Sequence, residues 1–192
     1  MKKLFLLLLL MTPFINGCTT VGVGVAELTG VSLFNDRRGT QPILLDEKIE
    51  NDAFITLNSD SDIRGNSHFN VTSYNGIVLV TGETLFQALL PHITETVRAL
   101  TDVRFVQNHM MIAEYSSIAS RANDALITAQ VKAAFTYDSR LPGFDSTRIK
   151  VVTENGRVFL MGLVYPKEGD VAVEITQKQE GVREVIKVFE YL

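Results

Sequence analysis

The sequence predicts an α+β protein made of two tandem modules, each with two helices on a three-stranded mixed sheet in the order α-β-β-α-β. Three observations predict this fold. The chain matches itself at an offset of 80 residues, each copy has an Asn-Gly pair between two strand-like runs, and apolar residues recur at helical intervals on both sides of each hairpin. An internal repeat of this kind favours two small domains over one larger domain.

The central element of each module is a two-stranded hairpin. Residues 69–82 align with residues 149–162, and both stretches carry Asn-Gly followed six residues later by glycine. Asn-Gly between β-branched runs is typical of a type I′ turn, because both central residues need a positive φ. Such a turn pairs Val71 with Val80, Ser73 with Val78, Val151 with Leu160 and Thr153 with Val158, and it places Gly82 and Gly162 opposite Phe69 and Ile149. We expect these glycines to let a helix approach the sheet closely.

A leading helix is predicted before each hairpin. In the first copy Asp46 opens this helix, with Ile49 and Ala53 facing inward. In the second copy Asn123 or Asp124 caps its start. The inward residues of the second copy recur at helical spacing and are Ile127, Val131, Ala134 and Phe135.

A second helix is predicted to cross from each hairpin to a last strand. In the second copy Pro166 suits the first helical turn and Gly181 suits the stop. In the first copy Pro91 requires the regular helix to begin near it or to kink there. The last strands open at Val103 and Val182, which match at an offset of 79 residues.

The first residues are typical of a bacterial signal peptide. Lys2 and Lys3 precede an apolar run over residues 4–11, which is shorter than the roughly 20 residues of a spanning helix. The segment Phe14-Ile15-Asn16-Gly17-Cys18 resembles the lipobox of bacterial lipoproteins, whose cysteine receives diacylglycerol before the new N-terminus is acylated. Each buried CH₂ contributes about 0.8 kcal/mol, so several acyl chains anchor a protein firmly. Cys18 is the single cysteine, so packing alone must hold the fold.

The predicted organisation follows from the signal and the repeat. It is a signal peptide over residues 1–17, a lipidated tether over 18–45, a first module over 46–112, a linker over 113–120 and a second module over 121–192. Asp36, Arg37 and Arg38 fall in the tether and are interpreted as linker charge without a role in a site.

The charge distribution disfavours a nucleic-acid partner. Without Lys2 and Lys3 the chain has 16 basic and 22 acidic side chains, whereas a phosphate backbone requires clustered Lys and Arg. Residues 46–112 hold 4 basic and 9 acidic side chains, and residues 121–192 hold 10 of each. The second module is therefore the better candidate for approaching an anionic surface.

Catalytic and metal-binding functions find no support in the spacing of polar residues. His68, His92 and His109 do not fall at the spacing of metal ligands, and Cys18 is expected to be acylated. We therefore predict no catalytic residues, no metal ligands and no cofactor.

Together these residues resemble the BON domain family, and more closely the dual-BON outer-membrane lipoproteins of Gram-negative bacteria. The similarity covers residues 40–192 and is sharpest in Asn123-Asp124 with Ile127-Thr128 and in Thr153-Glu154-Asn155-Gly156 with Val158-Phe159-Leu160-Met161-Gly162. The resemblance implies a non-enzymatic protein held at the inner leaflet of the outer membrane, facing the periplasm, that supports outer-membrane integrity.

The resemblance also implies a lipid-binding helix. In the family members that this chain resembles, the first helix of the second module binds anionic phospholipid, and by position that helix runs from Asn123 to about Tyr137. Leu126 stands where the family can present a tryptophan, and this chain has none. The predicted phospholipid-binding residues are Leu126, Ala129, Gln130, Ala133 and Tyr137, with Lys132 and Arg140 close enough to meet head groups. The expected partner is an anionic phospholipid membrane.

A second hypothesis concerns the sheet faces that point away from the helices. A sheet covered on one side normally alternates apolar and polar residues. Here the outward residues are apolar as well: Tyr74, Ile77 and Leu79 in the first copy, and Val152, Phe159 and Met161 in the second. Either the two modules dock through these faces, or the faces bind an outer-membrane or envelope protein. In the second case the chain is an envelope scaffold and lipid contact is incidental.

Overall fold

The computed structural model describes residues 36–138, 140 and 145–192, and it confirms the α+β fold with two modules in tandem. Cys18, the signal peptide and residues 141–144 lie outside this part of the chain. The first module contains α1 (Thr40–Ser59), α2 (Ser61–Asn66), β1 (Ser67–Tyr74), β2 (Ile77–Thr84), α3 (Leu89–Arg98), β3 (Phe105–Asn108) and β4 (Met111–Ile112). The second contains α4 (Ile118–Tyr137), a 3₁₀ turn (Ser146–Arg148), β5 (Ile149–Glu154), β6 (Arg157–Val164), α5 (Pro166–Gln177) and β7 (Glu184–Tyr191).

Each sheet is mixed, with the second hairpin strand in the middle. In the second module β6 pairs antiparallel with β5 and parallel with β7, as predicted. In the first module β2 pairs antiparallel with β1 and parallel with both β3 and β4. The last strand of the first copy is thus broken in two around His109, which makes four strands where three were predicted.

The hairpin registers are confirmed. Val71 pairs with Val80 and Ser73 with Val78 in the first module, and Val151 pairs with Leu160 and Thr153 with Val158 in the second. The turn residues have positive φ, at 52° for Asn75, 73° for Gly76, 53° for Asn155 and 73° for Gly156. These are the angles that a type I′ turn requires, so the two-residue turn sets the register of each sheet.

The predicted role of the hairpin glycines is wrong. A Cβ at Gly82 would stand 2.1 Å from the carbonyl oxygen of His68, and one at Gly162 would stand 2.6 Å from that of Arg148. The first obstacle is a backbone atom of β1, and the second belongs to Arg148, the last residue of the 3₁₀ turn that leads directly into β5; neither belongs to an α-helix. Gly82 also has a φ of 119°, which L side chains rarely adopt. These glycines therefore allow two strands of one hairpin to come close at its open end.

Each module has its own core between helices and sheet. In the first, Ile49, Ala53 and Leu57 of α1 pack with α3 and β2. In the second, Ile127, Val131 and Phe135 of α4 pack with α5, β5 and β6, with Ala134 partly buried beside them. The predicted inward residues of both leading helices are confirmed.

Both leading helices begin earlier than predicted. The helix expected to open at Asp46 begins at Thr40, and the one expected to be capped by Asn123 or Asp124 begins at Ile118. The side chain of Ser117 caps the latter by accepting a hydrogen bond from the backbone N–H of Ser120. Both aspartates lie well inside their helices and are buried there, so they have another role.

Candidate functional site

A buried aspartate fastens each leading helix to the hairpin turn of its own module. The carboxylate of Asp124 accepts hydrogen bonds from the backbone N–H groups of Asn155 and Gly156, both at 2.8 Å. In the first module Asp46 accepts from Asn75 at 2.7 Å and from Gly76 at 2.9 Å. An ionised acceptor on two backbone donors is a strong arrangement. It fixes the rotation of each helix about its axis, and thereby decides which face looks outward.

The outward face of α4 carries a continuous row of apolar side chains, which we call the α4 row. Its members follow one another at steps of three or four residues and are all exposed: Ile118, Ala122, Leu126, Ala129, Ala133 and Tyr137. Leu126 is 63% exposed, although a leucine in a solvated helix is normally turned inward. Gln130 lies beside this row and is also exposed. The earlier helix start adds Ile118 and Ala122, which the sequence prediction missed.

Basic side chains lie along one edge of the α4 row. Arg121 and Lys132 are both exposed, and their separation of about three helical turns places them on the same side of α4. Arg140, the other predicted head-group contact, pairs with Asp138 at 2.9 Å and with Glu174 at 2.8 Å. The charge of Arg140 is therefore compensated within the protein. Arg121 was not among the predicted head-group contacts.

The six apolar residues predicted on the outer sheet faces come together between the two modules. Tyr74, Leu79, Phe159 and Met161 form one buried cluster with Val188, and Ile77 and Val152 pack against it. The sheets of the two modules thus meet face to face. A protein partner could reach these faces only after the modules had separated.

Polar contacts surround this apolar contact. The Tyr74 hydroxyl accepts a hydrogen bond from the backbone N–H of Leu163 at 3.2 Å, and burial raises the pKa of that hydroxyl. Lys150 pairs with Glu50 at 2.7 Å. The ring of His109 lies 5.1 Å from that of Phe159, centroid to centroid. Together these contacts join the first module to β5 and β6 of the second module, on which α4 packs.

The interpretation of Asp36, Arg37 and Arg38 as linker charge is wrong. Arg37 crosses to the second module, where it pairs with Glu168 at 2.6 Å and donates to the carbonyl oxygen of Leu163 at 3.1 Å. The hydrogen bond from the Arg37 guanidinium holds the pKa of the Glu168 carboxyl below its usual value. Arg38 pairs with Asp36 and Asp46, and its guanidinium stacks 3.5 Å from the centre of the Tyr74 ring. This segment lies across both modules, which isolated charges in a sequence do not reveal.

A second polar cluster lies at the opposite end of the contact between the sheets. His68 and Glu83 are cross-strand neighbours in the first hairpin, and Glu154 approaches them from the second module. The hairpin register could have revealed the first pair. Glu154 is brought there only by the docking of the modules.

No helix in the described ranges, from residue 36 onward, has the length and apolar character needed to cross a bilayer.

Comparisons with known proteins agree with the repeat. The BON domain family model matches residues 46–114 and 123–192. Outer membrane lipoprotein DolP of Haemophilus influenzae is 32% identical over 192 residues, which cover 100% of this chain and 97% of that protein. The 21 kDa hemolysin of Actinobacillus pleuropneumoniae is 29% identical over 147 residues, covering 77% of this chain and 74% of that protein.

Among solved structures, CdsD, a structural protein of the type III secretion system of Chlamydia trachomatis, is similar to this chain at 17% identity. The match covers 77% of this chain and 63% of that chain, with a TM-score of 0.30. A likeness of that size carries no argument about function.

Proposed function

This chain belongs to the BON domain family, and from that premise we propose that it is a lipid-anchored protein of the outer membrane, facing the periplasm, that binds anionic phospholipid through α4. In this role it helps to maintain outer-membrane integrity. The full-length similarity to an outer-membrane lipoprotein supports a non-enzymatic role in the cell envelope. The observation that carries the lipid-binding proposal is the exposed α4 row.

The α4 row offers apolar area that a bilayer interface can bury. Burying a leucine or isoleucine side chain contributes about 1.5–3 kcal/mol relative to leaving it in water. Leu126 and Ile118 are the two large aliphatic members of the row, and Tyr137 adds an amphipathic ring that suits the head-group level. A helix that lies in the plane of the interface binds through this kind of face.

The edge charges favour an anionic surface. A Lys or Arg near such a surface contributes about 1 kcal/mol at physiological ionic strength. Arg121 and Lys132 lie where α4 would meet head groups if the α4 row entered the bilayer. The first module, with 4 basic and 9 acidic side chains over residues 46–112, would be repelled, so charge orients the second module toward the membrane.

The lipid anchor explains why a modest apolar row suffices. Acyl chains on Cys18 would keep the protein at a membrane, so contact by α4 would be intramolecular and would benefit from a high effective concentration. The chain has no tryptophan, so we expect α4 alone to bind weakly. The anchor provides residence, and α4 provides orientation and a preference for anionic lipid.

The test compares two leucines on equivalent outward faces. Leu126→Glu places a charge in the middle of the α4 row, and Leu44→Glu places one in the outward row of α1, where Leu44 is 53% exposed. Unlipidated chain from residue 19 onward is sedimented with phosphatidylglycerol vesicles, with phosphatidylcholine vesicles as the reference. We expect Leu126→Glu to lower the affinity about ten- to a hundredfold, from the loss of one buried leucine. Leu44→Glu should bind like the wild type. Equal binding by all three proteins would reject α4 as the contact.

A further inference from the structure

Three acidic or imidazole side chains meet where the two sheets face each other, and we call them the seam cluster: His68, Glu83 and Glu154. One nitrogen or oxygen atom from each lies within 4.8 Å of the other two. Glu83 is 1% exposed and Glu154 is 6% exposed. The cluster joins β1 and β2 of the first module to β5 of the second.

The negative charge of the seam cluster is not balanced by Lys or Arg. Glu83 contacts His68 and the amide of Asn155, and Glu154 accepts from the amide of Asn70 at 2.9 Å. Among residues 36–138, 140 and 145–192, no Lys or Arg side chain forms an ion pair with either carboxylate. Burial, and then the neighbouring charge of Glu83, raise the pKa of Glu154. Two buried carboxylates facing one imidazole leave a negative charge that either a proton or a bound cation can neutralise.

The donor set fits one class of cation. Imidazole nitrogen and carboxylate oxygen are both zinc ligands, and water can complete a tetrahedron around three protein ligands. Calcium and magnesium prefer oxygen ligands alone and in larger number. Zinc bonds of about 2.0–2.2 Å place neighbouring ligand atoms roughly 3.4 Å apart. Nδ1 of His68 and Oε2 of Glu83 are 3.1 Å apart, and a carboxylate oxygen of Glu154 lies within 4.8 Å of the other two ligand atoms, so Glu154 would have to move closer to complete the site.

We propose that the seam cluster binds a divalent transition metal of the zinc type and thereby joins the two modules. His68 is 24% exposed at its side chain, which leaves an entry path for the ion. The charge of the zinc ion neutralises the two carboxylates. Because its ligands come from both modules, the bound ion stabilises their docking, and with it the orientation of α4.

The opposite end of the sheet contact shows that the fold itself does not require this cluster. The positions equivalent to His68, Glu83 and Glu154 in the other copy are Arg148, Leu163 and Tyr74, by the repeat offset of 80 residues. There the hydroxyl of Tyr74 meets the backbone N–H of Leu163. Tyr74 and the ion pairs of Arg37 and Arg38 close that end, whereas three metal-ligating groups close the other.

The experiment titrates the full mature lipidated chain in detergent, purified without a histidine tag and treated with a chelator, with zinc chloride. We expect calorimetry to give one zinc ion per chain, and zinc to raise the Tm. Cobalt(II), used as a spectroscopic stand-in, should give the visible absorption bands of a four-coordinate site. His68→Gln and Glu83→Gln should each lower the zinc affinity about tenfold or more, since one of three protein ligands is lost.

His92→Gln is the matched control, because His92 pairs with Asp60 on an exposed surface at 2.7 Å, away from the seam cluster. It should bind zinc like the wild type. The proposal is overturned if the wild type takes up no zinc and gives no four-coordinate cobalt bands. This result depends on the wild-type chain alone and not on the folding of any variant. It is also overturned if His68→Gln, with an unchanged circular dichroism spectrum, binds zinc as the wild type does.

Discussion

The two leading helices have the same inward face and different outward faces. α1 buries Asp46, Ile49, Ala53 and Leu57, and α4 buries Asp124, Ile127, Val131 and Phe135, at a constant offset of 78 residues. At the same offset the outward row of α1 reads Thr40, Leu44, Lys48, Asn51, Ile55 and Ser59, where the α4 row reads Ile118, Ala122, Leu126, Ala129, Ala133 and Tyr137.

This comparison separates the residues that make the fold from those available for function. The inward residues of both helices make the same contacts: the aspartate binds the hairpin turn, and the apolar side chains pack on the sheet. The outward residues make none of these contacts. The outward row of α1 mixes polar and apolar side chains, whereas the α4 row is apolar. Changes to shared features should therefore act alike in both modules, and changes to the outward rows should not.

The largest expected effect comes from the apolar contact between the modules. Phe159→Ala removes a fully buried ring and should lower the free energy of unfolding by about 3–5 kcal/mol, and Leu79→Ala, at the equivalent position, by about 2–5 kcal/mol. Urea denaturation measures both. A loss below about 1 kcal/mol for either variant would show that the sheets do not meet in solution as they do in the structure.

The next largest effect concerns the two aspartates that fasten the turns. Asp124→Ala leaves the N–H groups of Asn155 and Gly156 without their charged acceptor and should cost about 2–4 kcal/mol. Asp46→Ala should cost at least as much, because Asp46 also binds Ser73 and Arg38. The matched control is Asp170→Ala, which removes an exposed pair with Lys187 and should cost under about 1 kcal/mol. If all three variants were equally stable, the turn contacts would have no structural role.

A smaller effect is expected on the pH dependence of the free energy of unfolding, and it arises from a histidine that only the first module has at this position. His109 faces Phe159 where the second copy has Val188, and burial, followed by the charge of Arg157, lowers the pKa of His109 below 6.5. Its stabilising effect is therefore complete above pH 6.5 and is lost as the pH falls from 6.5 through the lowered value. We expect His109→Gln to lose less stability than the wild type between pH 7.5 and 5 in thermal unfolding. Parallel pH profiles would exclude a contribution from this ring.

The parts of the fold that follow from local chemistry were predictable. The Asn-Gly turns fix both hairpin registers, and helical spacing identifies Ile127, Val131 and Phe135 as core residues. The helix starts were wrong because an aspartate ahead of an apolar periodicity is a typical helix cap, whereas Asp46 and Asp124 bind the turn. The recurrence of an aspartate in both copies was the available signal.

The contacts between modules were predictable only in part. Tyr74, Leu79 and Phe159 are apolar at strand positions where an exposed face would be polar. They therefore indicated a covered second face, but not the way in which the sheets meet. Contacts such as Arg37 with Glu168 and His68 with Glu154 join residues about 86 to 131 positions apart. They depend on the docking geometry, which no local pattern encodes. Ile118 and Arg121 were missed because the start of α4 was placed too late.

The most direct test of the difference between α1 and α4 is a titration of the unlipidated chain with phosphatidylglycerol micelles, followed by amide NMR. Amide signals of residues 118–137 should shift in a saturable way, with the largest changes near Leu126, while those of residues 40–59 should stay in place. Equal shifts in both helices, or shifts confined to α1, would contradict the account.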